Sequence, residues 1–371
     1  MKKILFLLLF VAATAHAEDG SQLWLRFDAK TTEPSVITPA VSPTVDIAMV
    51  ELKRYWRGDA VTLKIDPALK AEAFAIEYNG TGKATVRGGD DHALLYGTYA
   101  LLRQQQTGQV ANVSSEPKVP LRLLNHWDNL DLSVERGYAG KSIWRWEQID
   151  GDQGTMSEWM QQRVAQYGRA NASIGINGTV LNNVNASPNI LTTPYLKKVK
   201  VLADALRPYG IKVFLSINFA SPMVLKATKT ADPLKADVAK WWRQKADEIY
   251  QLIPDFGGFL VKANSEGQPG PGDYHRTHAD GANMLAAALQ PHGGIVMWRS
   301  FVYGANHKGE DRVMQAVSEF KPMDGKFAKN VILQSKNGPL DFQPREPYAP
   351  IFDNINKRSE ERRVGKEYRS R

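Results

Sequence analysis

The chain contains no cysteine among its 371 residues. This absence excludes disulfide-stapled folds, thiolate zinc sites, iron–sulfur clusters and catalysis by a cysteine nucleophile. Any catalytic machinery must therefore be built from carboxylates, histidines, hydroxyls or amines.

Long apolar runs are also absent, apart from one at the N-terminus. Lys2-Lys3 is followed by ILFLLLFVAATAHA, which is shorter than the ~20 residues that span a bilayer. It ends in the small-x-small sequence Ala15-His16-Ala17, and this combination is typical of a secretory signal peptide. We expect cleavage after Ala17 and export to the periplasm or the medium, without retention in the membrane. An uncleaved anchor helix is the alternative.

The chain between its two ends has little net positive charge. The formal net charge is +8, but Lys2, Lys3 and the last fourteen residues, with six Lys/Arg against three Glu, account for +5 of it. The remainder is too small to favour nucleic acid as a partner, so we expect none.

The last fourteen residues, RSEERRVGKEYRSR (358–371), have no apolar face at either the helix or the strand period. Such a string is ordinarily a solvated tail. It also resembles the translation of a sequencing-library adapter. On this interpretation, authentic coding sequence stops near Lys357 and the chain is a fragment.

The sequence predicts a small α/β domain over residues 18–115. AEAFAIEYNG and KATVRGG alternate as strands around the turn Asn79-Gly80, and HALLYGTYALLRQ follows with helical spacing. Pro117 and Pro120 mark the boundary of this domain.

Apolar runs that end in polar residues then alternate with helical stretches over residues 118–357. The six runs are 120–127, 172–184, 211–220, 258–266, 294–303 and 330–342. Alternation of this kind predicts parallel βα units, whose C-terminal strand ends form the active face of a (β/α)₈ barrel. We therefore predict an α/β fold with an N-terminal domain and an incomplete (β/α)₈ TIM barrel of about six units. An open Rossmann-type sheet is the alternative, but no glycine fingerprint opens a first helix.

Three of the predicted strands contain a cation within or after an apolar run, namely Lys262, Arg299 and Lys336. A buried charge is costly without an anion nearby. Because barrel strands direct their ends at a shared pocket, the three cations can surround one substrate carboxylate. Internal salt bridges to Glu266 and Asp341 are the alternative.

Glu266 and Asp341 each follow an apolar run, beside a Gly/Pro-rich loop. Two carboxyls that face a cleft are what glycosidic cleavage requires, since one protonates the leaving oxygen and the other activates water or attacks carbon. Solvated loop acids are the alternative, and the neighbouring cations favour the catalytic interpretation.

Other side chains near the strand ends have both a functional and a structural interpretation. Aromatic rings there either stack on sugar faces or fill the core, and polar groups after the first strand either bind hydroxyls or brace the rim. The aromatic candidates are Trp127, Trp144, Trp146 and Trp298, and the polar ones are Asn125, His126 and Asp128. His275 and His278 lack a convincing third ligand, so we expect no metal site.

Five segments resemble the family 67 α-glucuronidases of glycoside hydrolases: residues 125–140, 176–186, 261–286, 297–303 and 336–347. The resemblance runs to about Phe352. It implies an N-terminal α/β domain, a central (β/α)₈ barrel and a C-terminal helical domain that contributes to a homodimer of the full-length enzyme. It also implies removal of (4-O-methyl)glucuronic acid from the terminal xylose of glucuronoxylan oligosaccharides, with inversion and without a cofactor or metal.

The resemblance assigns roles to particular residues. It implies that Glu266 is the general acid and that Asp341 is one of two carboxylates on the catalytic water. Lys262, Arg299 and Lys336 fall on the positions that hold the uronate.

Two further positions follow from the resemblance, Val184 as an apolar wall and Trp144 as the ring that closes the pocket. The second base-side glutamate is expected some two dozen residues after PREP, within the adapter-like string, and Glu367 stands there in the wrong context. A catalytically silent fragment that at most binds uronic sugars is therefore the alternative function. A sugar-binding module without chemistry is disfavoured because both acids are present.

Overall fold

Two α/β units follow one another along the chain in the computed structural model, which describes residues 22–29, 32–135, 140–300, 309–336 and 349–355. The predicted signal peptide, Asp341, Glu367 and the string 358–371 lie outside the described residues.

The N-terminal unit is a five-stranded mixed sheet covered by two helices. The hairpin predicted around Asn79-Gly80 is confirmed, because its two strands pair antiparallel. The sheet order is β1-β2-β4-β3-β5. The elements are β1 (Ser35–Ile37), α1 (Pro43–Tyr55), β2 (Ala60–Ile65), β3 (Phe74–Tyr78), β4 (Lys83–Gly88), α2 (Asp91–Gln106) and β5 (Val113–Ser115).

Both helices of this unit begin at a side-chain cap. The Ser42 hydroxyl accepts a hydrogen bond from the backbone N–H of Val45, and the Asp90 carboxylate accepts one from that of Ala93. Each cap satisfies one of the N–H groups that a helix start leaves without an intrahelical partner.

The second unit is a curled sheet of six parallel strands with helices outside it. Each predicted apolar run contains one of these strands. The elements are β6 (Leu123–Asn125), the hairpin β7 (Ile149–Asp150) and β8 (Thr155–Met156), α3 (Glu158–Ala172), β9 (Gly178–Val180), α4 (Thr193–Leu206), β10 (Lys212–Ile217), α5 (Ser221–Val224), α6 (Ala236–Leu252), β11 (Gly258–Val261), α7 (His278–Leu289), β12 (Ile295–Arg299), α8 (Arg312–Phe320), β13 (Val331–Gln334) and α9 (Ile351–Asn354).

The strand order of this sheet distinguishes a barrel from a Rossmann fold. The order β13-β12-β11-β10-β9-β6 follows the chain without a reversal. A Rossmann sheet reverses its strand order at a switch point, whereas a (β/α)₈ barrel adds strands in sequence. The prediction of an incomplete barrel is confirmed, and the open-sheet alternative is wrong.

Apolar side chains on the two faces of the curled sheet form separate clusters. The larger cluster lies between the strands and the helices and includes fully buried Trp242, Phe259 and Trp298. The smaller one lies on the inner face and consists of Val180, Val184, Phe214, Leu260 and Met297, with partly buried neighbours such as Ile332. This division identifies which residues of each strand point toward the barrel axis.

Two carboxylates, one buried and one partly buried, join the units. Glu51 of α1 accepts hydrogen bonds from Arg169 of α3, and Glu72 accepts them from Arg122 and Asn177 at 3.0 and 3.1 Å. Among the described residues, no helix has the length and apolar character needed to cross a membrane.

Candidate active site

Parallel pairing places two of the three predicted cations on adjacent strands at the same height. Val261 is in register with Trp298, and Arg299 is in register with Gln334. Lys262 directly follows Val261, so it lies beside Arg299 at the C-terminal edge of the sheet. This edge is the active face of a (β/α)₈ barrel.

The alternation of side chains along a strand then gives the direction of both cations. Leu260 and Met297 belong to the inner cluster. Because strand residues two positions apart share a face, Lys262 and Arg299 point to the inner side as well.

The third cation follows the next strand. The backbone N–H of Ser300 donates to the carbonyl of Gln334 at 3.0 Å, and the hydroxyls of Ser300 and Ser335 are hydrogen-bonded. The chain segments that follow β12 and β13 therefore remain side by side. Lys336 comes directly after Ser335, four positions from Ile332 of the inner face. Three successive strands therefore each carry one cation at this edge.

Gly258, the first residue of β11, permits this close pairing. Its φ is +134°, and a Cβ at this position would lie 1.9 Å from the carbonyl oxygen of Ile295. A side chain here would force β11 away from β12 and separate Lys262 from Arg299.

Lys262 is the most buried of the three cations, with a relative exposure of 4%. Its Nζ donates to the Oδ1 of Asn185 at 3.0 Å and to the carboxylate of Glu266. For Lys262, the internal salt bridge considered as an alternative in the sequence is what the structure shows. Asn185, in the loop after β9, is a site residue that sequence reasoning missed.

Glu266 stands on a tight loop between β11 and α7. Asn264 and Glu266 have φ values of +50° and +49°. Asparagine tolerates the left-handed region, but for glutamate it costs on the order of 1–3 kcal/mol and persists only where the surroundings enforce it. Asn264 supplies part of that support, since its side chain accepts from Gly272 N–H at 2.8 Å and donates to Asp273 at 3.0 Å. The Glu266 side chain remains 40% exposed, so it is accessible to solvent.

Asp128 organises the same edge at β6. Its buried carboxylate accepts hydrogen bonds from the Ser142 hydroxyl and, at 2.8 Å, from Ile143 N–H, while its carbonyl accepts from Asn183 N–H at 2.9 Å. His126 lies 3.5 Å from the carboxylate. Asp128 thus ties the loop after β6 to the loop after β9, which is the bracing alternative raised for this residue.

The carboxyl of Asp128 titrates below its ordinary value of 3.8. Burial raises its pKa, but His126 and the hydrogen bonds from Ser142 and Ile143 lower it by more. The folded protein therefore binds this proton less tightly than the unfolded chain does. The contribution to stability is present above the unfolded value and is lost as pH falls through the lower pKa of the folded state.

We expect an Asp128→Asn variant to show a shallower fall of the free energy of unfolding on acidification below the unfolded value of 3.8. The measurement is urea unfolding at several pH values, with Asp46→Asn, an exposed carboxylate in the first turn of α1, for comparison. An unchanged acid dependence in Asp128→Asn would contradict the assignment.

Asn183 extends this network toward the barrel mouth. Its side-chain amide is buried and donates to Glu135 at 2.7 Å and to Asn129 at 3.1 Å. Sequence reasoning missed Asn183 and Glu135 as well, although Asn183 and Asn185 both lie in the string NNVNA.

Trp144 does not lie where a sugar could stack on it. It is fully buried in the cluster outside the sheet, with its ring 5.4 Å from that of His126 and 5.1 Å from that of Tyr167. We therefore leave Trp144 out of the proposed site. Trp146 and Trp298 are buried in the same cluster, and Trp127 is half-buried.

Val184 and the two histidines occupy different layers of the barrel. Val184 belongs to the inner cluster near the edge that carries Lys262. His278 is buried in the helix layer, where it accepts a hydrogen bond from the Trp298 indole at 3.1 Å, while His275 is exposed. In the described ranges, no group of three histidine or acidic side chains is placed to hold a metal ion.

Comparisons with known proteins identify the family of this chain. A sequence profile described as the Glycosyl hydrolase family 67 middle domain matches residues 101–371. The chain belongs to glycoside hydrolase family 67. Alpha-glucuronidase A of Emericella nidulans is 42% identical to this family 67 chain over 410 residues, covering 96% of this chain and 48% of that protein. Alpha-glucuronidase of Hypocrea jecorina is 45% identical over 307 residues, covering 79% and 35%.

The family 67 chain thus spans about half, or less, of the length of these curated relatives. Among solved structures, CpGH84B superposes with a TM-score of 0.50 at 12% identity, covering 85% of this chain and 54% of that one. At this identity the likeness concerns the fold alone.

Proposed function

We propose that this family 67 protein is an inverting α-glucuronidase that releases (4-O-methyl)-D-glucuronic acid from the terminal xylose of glucuronoxylan oligosaccharides. The observation that carries the proposal is the placement of a cation on each of three successive strands at one edge of the barrel, beside Glu266. Membership of family 67 and the names of the relatives support the same activity.

In this proposal, Lys262, Arg299 and Lys336 hold the uronate carboxylate. A sugar acid is the ligand that three cations on an inward-facing edge recognise best, because charge-assisted hydrogen bonds are stronger than neutral ones. Val184, in the inner apolar cluster, forms a wall of the sugar pocket.

The chemistry requires two acidic groups on opposite sides of the anomeric carbon. Glu266 gives its proton to the glycosidic oxygen as the bond to the anomeric carbon breaks. A water molecule attacks that carbon from the other face and gives a proton to Asp341 or to a carboxylate that acts with it. Inversion predicts that the Glu266 and Asp341 carboxyls stand about 6.5–9.5 Å apart, which leaves room for the water.

The test is to incubate the protein with an aldouronic oligosaccharide and follow the first product by proton NMR. We expect glucuronate to appear first as the β-anomer, because inversion of an α-glycoside gives that configuration. First appearance of the α-anomer would contradict inversion. Binding of the oligosaccharide without release would instead support the alternative of a silent, uronate-binding fragment.

A further inference from the structure

The ion pair between Lys262 and Glu266 conflicts with the proposed role of Glu266 as an acid. Glu266 accepts a hydrogen bond from the ammonium of Lys262. A neighbouring positive charge stabilises the ionised form of a carboxyl, whereas a general acid must carry a proton when the substrate reacts. The contact with Lys262 therefore favours the ionised form of Glu266, which has no proton to donate.

The same ammonium is one of the groups proposed to hold the sugar acid. An ammonium has three N–H donors, and in the described part of the chain Asn185 and Glu266 accept from Lys262. Its side chain is 3% exposed, so water screens it little. When a uronate binds at Lys262, the ammonium has two carboxylates beside it, that of Glu266 and that of the sugar.

Two carboxylates at one buried cation do not both remain ionised at low cost. Like charges in a poorly solvated site raise the proton affinity of one of them. Arg299 of β12 and Lys336 after β13 add positive charge on the side of the uronate, while Asn185 on the side of β9 is neutral. These two cations favour the ionised form of the uronate, so the proton goes to Glu266 in preference to the uronate.

We infer that the uronate carboxylate takes Lys262 over from Glu266, so that binding of an acidic sugar itself causes Glu266 to take up the proton it later donates. This inference rests on the proposed function, because it uses the same site. One proton passes from hydronium or a buffer acid to a carboxylate oxygen of Glu266, so an O–H or N–H bond of the donor breaks and an O–H bond forms on Glu266. Lys262 takes no part in this transfer, and no bond to carbon breaks.

Through this exchange of partners, the negative charge of the sugar determines the catalytic rate as well as the binding affinity. A neutral sugar of the same shape leaves the Lys262–Glu266 pair intact and Glu266 ionised. Such a sugar then lacks a general acid even when it occupies the pocket. Asn185 accepts a hydrogen bond from the same ammonium at 3.0 Å, a contact that does not depend on the Glu266 carboxylate.

The test is to measure protons taken up when the 371-residue protein binds D-glucuronate. Titration calorimetry in buffers of different ionisation enthalpy gives this number directly. The titration is run at pH ~6, above the ordinary pKa of a glutamate. We expect uptake of up to one proton per glucuronate, and none on titration with D-glucose.

Two variants localise the proton. Glu266→Gln should bind glucuronate without proton uptake, while Glu158→Gln, an exposed carboxyl at the start of α3, should behave as the unaltered protein does. Glucuronate binding with no uptake by the unaltered protein, or uptake that persists in Glu266→Gln, would overturn the inference alone. Failure to bind glucuronate would overturn the proposed function together with it.

Discussion

Replacing Glu266 by glutamine is expected to lower kcat for a glucuronate-bearing xylooligosaccharide by about 10²–10⁴-fold, the range that a general acid contributes. A glutamine amide cannot protonate the departing xylose oxygen. Its carbonyl oxygen can still accept the hydrogen bond from Lys262, so the loop and the fold should be retained.

The leaving group distinguishes loss of an acid from loss of structure. An aryl glucuronide releases a stable phenolate and needs little protonation, so Glu266→Gln should cleave it with a much smaller loss than it shows on the xyloside. Glu158→Gln is the matched control and should cleave both substrates normally. Equal losses of Glu266→Gln on the two substrates would contradict the role of Glu266.

Replacing Arg299 by glutamine is expected to weaken binding of glucuronate-bearing oligosaccharides by about 10–150-fold. This range corresponds to about 1.5–3 kcal/mol for a hydrogen bond to a charged group. Binding of the unsubstituted xylooligosaccharide should change little, because it offers no carboxylate at this position.

Calorimetric titration with the two oligosaccharides measures this difference. Arg243→Gln, which removes an exposed arginine from α6 on the outside of the barrel, is the matched control. If Arg299→Gln weakened both ligands equally, Arg299 would be acting on the pocket as a whole, and its assignment to the uronate would fail.

The barrel strands could be predicted from the sequence because burial on both faces imposes a recognisable pattern of apolar residues. A parallel strand covered on both faces reads as a continuous apolar run that turns polar where it leaves the sheet. The same pattern pointed to Lys262, Arg299 and Lys336 as cations within or after the strands, whose ends share one pocket. Of these three cations, Arg299 lies within a strand, where alternation with Met297 gives its direction. Lys262 and Lys336 follow β11 and β13, and their direction is inferred by extending the alternation of Leu260 and Ile332.

Residues in loops could not be placed in this way. Trp144 follows the loop after β6, where no periodicity gives a direction, and its ring lies against Tyr167 in the outer cluster. Asn185 was missed for the same reason, since only the distance to Lys262 identifies it. The anion that pairs with a buried cation also depends on the three-dimensional structure. From the sequence alone, either a substrate carboxylate or Glu266 could be the partner of Lys262.

A crystal structure of the protein with bound D-glucuronate tests the central claim most directly. We predict that the sugar carboxylate lies within about 2.7–3.2 Å of the Lys262 ammonium, the Arg299 guanidinium and the Lys336 ammonium. Glu266 should have moved from Lys262 toward the anomeric oxygen. A carboxylate that points away from these three cations, with the Lys262–Glu266 pair unchanged, would contradict the account.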